Sequence, residues 1–253
     1  MSERPRLLVF QHLDVEHPGI FREFLAADGI DWDTVELDRG DAIPDLDGYA
    51  GLWVMGGPMD VWQTTEHPWL EPEIAAIRRA VVDLQMPFLG ICLGHQLLAA
   101  ALGANVQPGT AEVGVLPVEL TPSGERSPWF AHLPNPLTTL QWHSAEVTAP
   151  PADADVLARS DCCGVQALAV GAHALSAQFH VEVTGDTVAE WGAIPAYASA
   201  LEDTLGVGAV EQFGRDVDSA LAGFNRNAST FYDNWMETSG FASRGVTLPE
   251  AGC

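Results

Sequence analysis

The sequence predicts an α/β fold in which helices cover both faces of a mostly parallel sheet. Short, continuous apolar segments alternate with helical segments through the first hundred residues, and such strands are typical of parallel sheets buried on both faces. Hydrophobic residues make up 47% of the 253 residues and charged residues only 18%, which is enough apolar material for a large core. The chain is therefore expected to fold as a globular α/β protein.

The predicted elements of the first half alternate between strand and helix. The strands are residues 6–13, 32–37, 51–55 and 87–91, and the helices are residues 18–27, 68–84 and 93–102. Gly29 and Gly103 follow the first and third of these helices, where helices commonly end. In the helix over residues 68–84, apolar side chains recur at helical spacing, which predicts one buried face.

The second half of the chain changes character. Four strands are predicted at residues 113–120, 137–141, 165–170 and 174–180, and Pro, Gly and Ser are frequent between them. Such loops favour antiparallel strands added to the sheet. After Gly185 the pattern becomes helical, with an apolar stripe from Val210 to Phe224. We expect one domain over residues 1–185 and a helical extension over residues 186–253 that packs on it.

The charge balance excludes several classes of partner and chemistry. Eleven basic residues, all arginine, stand against 35 acidic residues, so the formal charge is −24. This excess repels nucleic acids and anionic membranes, and we expect neither as a partner. Without lysine, the chain has no Schiff-base lysine and no phosphate-binding Walker lysine.

Cofactors and metals are not predicted, and the location is expected to be cytoplasmic. The four cysteines, at positions 92, 162, 163 and 253, have the spacing of neither a zinc site nor a disulfide framework. Residues 1–6 carry charge where a signal peptide would need an apolar segment. These observations favour a reducing compartment.

The most informative segment is Gly-Ile-Cys-Leu-Gly at residues 90–94. It lies between an apolar strand and an Ala/Leu-rich helix, which is the setting of a nucleophile elbow with cysteine as the nucleophile. The glycines permit a sharp turn that exposes the central side chain. A helix N-terminus also stabilises an anion, and the thiolate is the form of cysteine that attacks. The alternative for Cys92 is a small buried hydrophobe.

A histidine and a glutamate at the end of the last predicted strand can serve this cysteine. His180 and Glu182 are two residues apart, so their side chains project to the same side of a strand. We predict that His180 deprotonates Cys92 and later protonates the leaving amine, while Glu182 fixes the imidazole tautomer. This spacing requires the strand to end or bend there. The alternative is a strand-end histidine beside a solvated glutamate.

The remaining histidines are weaker candidates. His95 follows Cys92 on the same helix and is expected to pack. His143 is placed at the exit of a strand, where it can shape a pocket, and it is the second candidate for the base. No partner is predicted for the histidines at positions 12, 17, 67, 132 and 173.

The Gly-Gly-Pro turn at residues 56–58 directly follows the third predicted strand. Backbone amides at the C-terminal end of a parallel strand face the crevice in which such sheets bind ligands. Together with the amide of Leu93, they can hold a tetrahedral oxyanion. By itself, the turn would indicate only a change in chain direction.

These elements together resemble the class I (triad-type) glutamine amidotransferase family. The resemblance rests on GICLGHQ around Cys92, the turn at residues 56–58 and QFHVE at residues 178–182, in this order, and covers about residues 6–184. The segment LQWHSAEVTAPP and a cysteine shortly before QAL are most similar to stand-alone proteins that resemble the amidotransferase domain of GMP synthase, a group that includes γ-glutamyl peptidases. The resemblance implies a flavodoxin-like, three-layer α/β/α domain over residues 1–185.

The resemblance also implies roles for individual residues. The catalytic residues are Cys92, His180 and Glu182, the oxyanion-hole residues are Gly57 and Leu93, and the substrate-binding residues are Gly56, Gln96, His143 and Ser144. Two departures from the family pattern stand out. Val181 occupies a position that is usually proline, which is expected to change the alignment only modestly. His-Ser-Ala-Glu at residues 143–146 replaces the common His-Gly-Asp, which leaves the substrate preference open.

The implied function is a glutamine amidotransferase-like cysteine hydrolase that cleaves the γ-glutamyl amide of glutamine or a related compound through a thioester on Cys92. Three functions remain open: a glutaminase subunit that supplies ammonia to a separate synthetase, a stand-alone γ-glutamyl peptidase, and a catalytically silent binding module. The complete Cys-His-Glu set argues against the silent module. The absence of lysine indicates that any acceptor-activating half is another polypeptide.

Overall fold

A nine-stranded mixed sheet forms the centre of the protein in the computed structural model, which describes residues 5–241. The strands are β1 (Arg6–Gln11), β2 (Asp31–Glu36), β3 (Gly51–Val54), β4 (Phe88–Ile91), β5 (Asn105–Leu120), β6 (Leu137–Ala149), β7 (Ala154–Arg159), β8 (Ala167–Val170) and β9 (Ala174–Ala177). Their order across the sheet is β2-β1-β3-β4-β9-β8-β7-β5-β6. The five strands from β2 to β9 in this order are parallel, and the other pairings are antiparallel.

Helices cover both faces of the parallel part. These are α1 (Phe21–Ala27) and α7 (Ala209–Thr238) on one face, and α2 (Leu70–Arg78) and α3 (Leu93–Ala101) on the other. The remaining helices are α4 (Pro122–Arg126), α5 (Thr187–Gly192) and α6 (Pro195–Leu205). Alternate residues of β1 pack into two cores: Leu7 and Val9 lie with side chains of α1 and α7, whereas Leu8 and Phe10 lie with side chains of α2 and α3. Because successive strand residues point to opposite faces, this alternation produces the predicted three layers.

The last helix belongs to one of these layers. Phe231 stacks on Phe21 of α1, and the indole N–H of Trp235 donates a 2.9 Å hydrogen bond to the Phe88 carbonyl oxygen of β4. Phe231, Tyr232 and Trp235 are all buried. The division of the chain at residue 185 stays a prediction, and Cys253 lies outside the described residues.

Several element boundaries differ from those predicted. Strands β5 and β6 are much longer than residues 113–120 and 137–141, since they pair with each other along most of their length. Strand β7 was not predicted, and the predicted strand 174–180 ends at Ala177. The predicted helix 68–84 is α2 followed by a π-helical turn over Arg79–Asp83. No helix within residues 5–241 is long and apolar enough to cross a membrane.

Candidate active site

Cys92 lies between β4 and α3, at the carboxyl end of the parallel strands. Its backbone has φ 51° and ψ −104°, a conformation that is strained for any residue with a side chain. The neighbouring glycines make this turn possible. A Cβ at Gly90 would lie 2.6 Å from the Gly94 carbonyl oxygen, and a Cβ at Gly94 would collide with the Val54 carbonyl oxygen of β3. The sharp turn from strand to helix therefore depends on both glycines.

His180 and Glu182 lie beyond β9, where the chain bends. Strand β9 ends at Ala177, and His180 is tied to the sheet only by an isolated bridge to Leu140 in β6. The bend brings the His180 Nδ1 atom to 2.6 Å from the Glu182 Oε1 atom. Both side chains are buried, and the indole of Trp191 packs edge-on against the imidazole with ring centroids 4.6 Å apart.

The electrostatic surroundings of His180 favour its charged form. Burial lowers the pKa of His180, but the Glu182 carboxylate and a hydrogen bond with the Cys92 thiol raise it, so the pKa lies well above its ordinary value. Because Nδ1 is held by Glu182, the other ring nitrogen is the one available to the thiol. This arrangement can move a proton between the sulfur and the imidazole.

Val181 contributes through its backbone. Its N–H donates a 3.0 Å hydrogen bond to the second carboxylate oxygen of Glu182, while the first oxygen accepts from His180. Proline, which usually occupies this position in the family that the sequence resembles, has no N–H and could not make this bond. In this protein the departure from His-Pro-Glu therefore supplies an additional donor that orients Glu182.

Two glutamines connect the thiol to α3. The side-chain amide of Gln178 donates to the Cys92 sulfur over 3.6 Å, and its carbonyl oxygen accepts from the Gln96 amide at 3.1 Å. Both glutamines are buried. Gln178 was not predicted as a site residue, although it directly precedes Phe179 and His180 in the segment that suggested the function.

A pocket of about 170 Å³ opens beside the thiol. Five of the predicted site residues line it: Gly57, Cys92, Gln96, His143 and Ser144. Among residues 5–241, Asp60 is the only Asp, Glu, Lys or Arg in the lining, and burial raises the pKa of its carboxyl group. Gly56, Leu93, His180 and Glu182 lie outside the lining. Within residues 5–241, no group of three or more His, Cys, Asp or Glu side chains is arranged to hold a metal ion.

The comparisons with known proteins agree with the fold. The model of the glutamine amidotransferase class I family matches residues 21–190. The chain belongs to this family. The glutamine amidotransferase-like protein YfeJ of Salmonella typhimurium is 35% identical over 70% of this chain and 75% of its own length.

Other relatives support the predicted similarity to GMP synthase. A GMP synthase of Aeropyrum pernix is 33% identical over 65% of this chain and 28% of its own length. Gamma-glutamyl peptidase 3 of Arabidopsis thaliana is 25% identical over 68% of this chain and 72% of its own length. A crystal structure of a glutamine amidotransferase from Thermotoga maritima, 25% identical, has a TM-score of 0.82 and covers 93% of this chain and 99% of its own. The predicted family and the flavodoxin-like fold are confirmed.

The position of His143 on its strand differs from the predicted one. It lies in the middle of β6 rather than at a strand exit, because β6 continues to Ala149 against β5. Its Nδ1 atom contacts the Ala145 carbonyl oxygen at 3.1 Å, and its Nε2 atom is 3.4 Å from a carboxylate oxygen of Glu112. The ring therefore lines the pocket with both nitrogens turned toward protein acceptors.

The prediction that five histidines lack partners is wrong for His12, His17 and His173. His12 contacts Glu73 and Gly56, His17 contacts Arg22, and His173 contacts the Val81 carbonyl oxygen. The partners of His12 and His173 are distant in sequence, whereas Arg22 lies only five positions after His17 on the next helix. His95 is buried against Ser176, as expected of a packing residue, and burial lowers its pKa to about 3.

The C-terminal helices contribute residues that the sequence did not indicate. Tyr197 of α6 lines the pocket, and its hydroxyl donates a hydrogen bond to the buried carboxylate of Glu16. Burial raises the pKa of Glu16, and the charge of Glu182 adds to this, whereas His180 and the Tyr197 hydroxyl oppose it. No motif marks these residues, because their role depends on how α5 and α6 pack over the site.

Proposed function

We propose that this protein is a cysteine-dependent hydrolase of γ-glutamyl amides, with glutamine as its simplest substrate. The observation that carries the proposal is the buried His180-Glu182 pair whose free ring nitrogen faces the thiol of Cys92. A nucleophile, a base in contact with it and a carboxylate that orients the base are the parts needed for covalent acyl transfer. Family membership supports γ-glutamyl as the acyl group.

The first half of the reaction forms a thioester. His180 takes the proton of the Cys92 thiol, and the thiolate attacks the γ-carbonyl carbon of the substrate. The carbonyl π electrons move onto oxygen, and this oxyanion accepts hydrogen bonds from the N–H groups of Gly57 and Leu93. Leu93 is the first residue of α3, where amides have no intrahelical acceptor. His180 then protonates the leaving nitrogen, and ammonia or an amine departs.

The second half returns the free enzyme. His180, now neutral, takes a proton from water, and the resulting hydroxide attacks the thioester carbon through a second oxyanion. When the carbon–sulfur bond breaks, the proton on His180 returns to the sulfur. The products are the γ-carboxylic acid, glutamate for a glutamine substrate, and the regenerated Cys92 thiol.

The pocket fits a small substrate with an amino acid head group. Gln96, His143 and Ser144 line it and can contact that head group. Asp60 offers a carboxylate that can pair with an ammonium group, and no arginine of the described residues lines the wall to attract an anion. The net charge of −24 likewise gives no long-range attraction to a negatively charged substrate.

A stand-alone γ-glutamyl peptidase is the second candidate. It is supported by similarity to gamma-glutamyl peptidase 3 over 72% of that protein's length. A glutaminase that supplies ammonia to a synthetase would instead need a partner, since these 253 residues contain no lysine for an ATP-binding motif of the Walker type.

Substrate kinetics distinguish the candidates. The purified protein is incubated with glutamine and with γ-glutamyl dipeptides, and glutamate release is measured for each. Hydrolysis of glutamine as the better substrate supports the glutaminase, whereas faster turnover of dipeptides without a partner supports the peptidase. A protein that hydrolyses neither substrate, and whose Cys92 is not labelled by a glutamine-like electrophile, would contradict the proposed function.

A further inference from the structure

Two buried residues contact the Gly-Gly turn, directly or through each other, on the side away from the pocket. His12 lies in the loop after β1, and Glu73 lies in α2; both have exposed fractions of 0%. The His12 Nδ1 atom is 2.7 Å from the Gly56 carbonyl oxygen, and the Nε2 atom is 2.8 Å from the Glu73 Oε1 atom. The imidazole therefore bridges a backbone carbonyl and a carboxylate. Trp69 stacks on the ring at 5.4 Å.

The two contacts define where the protons lie. A carbonyl oxygen can only accept, so Nδ1 carries a proton and donates it to Gly56. The Glu73 carboxylate is also an acceptor, so Nε2 carries a proton as well. Burial lowers the pKa of His12, but the charge of Glu73 and the hydrogen bonds to Glu73 and Gly56 raise it more, in agreement with this geometry. Both ring nitrogens are donors to fixed acceptors. His12 is therefore unsuited to exchange protons with a substrate, and its effect must come through the turn.

The carbonyl contact determines where the next amide points. In a trans peptide, the carbonyl group of one residue and the N–H of the following residue point in opposite directions. With the Gly56 oxygen turned toward His12, the Gly57 N–H is directed to the other side, where Gly57 lines the pocket with Cys92. Two successive glycines can rotate easily, so this orientation needs a restraint from outside the turn.

We propose that His12 and Glu73 form a clamp that keeps the peptide between Gly56 and Gly57 in the orientation required for oxyanion binding. The inference rests on the proposed function, in which the Gly57 N–H stabilises the tetrahedral intermediate. His12 and Glu73 are positioning residues, since neither lines the pocket. A substitution that releases the carbonyl lets the peptide rotate, and the donor to the oxyanion is lost for part of the time.

The pair is poorly explained by stability alone. Replacing a buried ion pair by apolar residues of similar size is often neutral or stabilising, because both charges must be removed from water. In this pair, the second carboxylate oxygen of Glu73 is buried without a hydrogen-bond partner among the described residues. An apolar replacement of both residues is therefore expected to fold, and it separates positioning from stability.

The test compares two double variants that differ only at position 12. In H12L/E73L the carbonyl of Gly56 loses its donor, whereas in H12N/E73L the asparagine amide occupies a place close to that of Nδ1 and can donate to it. Asparagine and leucine are similar in size. The control variant is His173→Leu, which removes another contact between an imidazole and a backbone carbonyl, that of Val81. His173 directly precedes β9, so it lies at the amino ends of the parallel strands, away from the site.

Glutamine hydrolysis is expected to separate the variants. For H12L/E73L, we expect kcat to fall by about 10- to 100-fold, because one donor to the oxyanion is partly lost. KM should change by less than about threefold. H12N/E73L recovers most of this loss, and His173→Leu keeps wild-type kcat. Alkylation of Cys92 by iodoacetamide, which forms no oxyanion, proceeds at the wild-type rate in all variants, whereas general damage to the site would slow it.

A crystal structure of H12L/E73L completes the test. We expect the carbonyl of Gly56 to leave the orientation that it has in the wild-type protein. An active wild-type enzyme with unchanged kcat in H12L/E73L would overturn the clamp and leave the proposed function intact. A wild-type protein without activity would refute the proposed function, and in that case an unchanged Gly56 carbonyl in the variant crystal would refute the clamp separately.

Discussion

Two buried histidine-glutamate pairs lie on either side of the Gly-Gly turn, and they differ in one respect that determines what each can do. In His180-Glu182 the imidazole is 2.6 Å from its carboxylate, and in His12-Glu73 the distance is 2.8 Å. The remaining ring nitrogen of His180 faces the Cys92 thiol, whereas that of His12 faces the Gly56 carbonyl oxygen. A thiol can give up a proton and take it back, but a carbonyl oxygen can only accept a hydrogen bond.

The comparison teaches that burial and a carboxylate partner do not by themselves make a histidine catalytic. In the roles proposed here, the same pair of side chains serves acid-base chemistry where the second nitrogen meets a nucleophile, and holds the backbone where it meets a carbonyl. His95 is a third case: its partner is the Ser176 hydroxyl, with no carboxylate bound to it among the described residues, and burial lowers its pKa to about 3. It is uncharged at neutral pH and serves packing.

The largest effect is expected from removing the base of the first pair. His180→Gln eliminates proton transfer to and from Cys92, so kcat for glutamine hydrolysis should fall by about 10²- to 10⁴-fold, the usual contribution of general acid-base catalysis. His12→Gln, its counterpart in the second pair, should lower kcat by at most about 100-fold. Steady-state kinetics of the two variants measure the difference. Equal losses would refute the assignment of different roles.

Glu182→Gln should have the next largest effect. Two donors, the His180 Nδ1–H and the Val181 N–H, face the carboxylate, and a glutamine amide offers only one acceptor oxygen. One contact is therefore lost, the imidazole is no longer held in the productive tautomer, and kcat should fall by about 100-fold or more. The matched variant Glu73→Gln should lose less. A Glu182→Gln enzyme with near-normal kcat would show that the carboxylate does not orient His180.

The third buried histidine, His95, should affect the pH dependence of stability. The pKa of His95 is lower in the folded state than in the unfolded state, so the folded protein binds fewer protons and stability falls as the pH drops from about 6.5 toward about 3. Between pH 8 and pH 5 this group should cost about 2 kcal/mol of unfolding free energy. Urea unfolding of wild type and His95→Leu at both pH values measures it. An identical pH dependence in the two proteins would contradict the prediction.

The smallest effect is expected at the C-terminal helices. Tyr197→Phe removes the hydroxyl that donates to Glu16, beside the first pair, and leaves the ring packed against Trp191. We expect kcat/KM to fall by only about three- to tenfold, corresponding to one hydrogen bond of about 1 kcal/mol. Tyr232→Phe, which removes a hydroxyl bonded to Asp28 far along α7, is the control and should retain wild-type kcat/KM. Equal kcat/KM in the two variants would mean that α6 contributes only packing.

The first pair could be predicted from the sequence and the second could not. His180 and Glu182 belong to one short segment, and the strand-to-helix pattern around Cys92 is equally local, so spacing alone was informative. His12 and Glu73 are separated by 61 positions, and they meet only because β1 and β3 are neighbours in the sheet with α2 packed over them. A sequence read by local pattern contains no sign of that contact.

The same distinction explains the errors in the fold. The parallel strands and α1 to α3 have strong local patterns, and their order along the chain was predicted. Strand β7 has only two buried positions, Leu157 and Ala158, and is held by antiparallel pairing with β8 and β5, which is a tertiary contact. The cover that α5 and α6 form over the site likewise depends on packing, through Trp191 and Tyr197.

The covalent state of Cys92 during turnover tests the central claim most directly. The protein is mixed with glutamine, and the reaction is quenched in acid within the first turnover. After digestion, mass spectrometry measures the mass of the peptide that contains Cys92. The account predicts that this peptide gains the mass of one γ-glutamyl group, and that the adduct accumulates to a higher level in a variant whose second step is slower. Turnover of glutamine without an adduct on Cys92, and with full activity in Cys92→Ala, would contradict it.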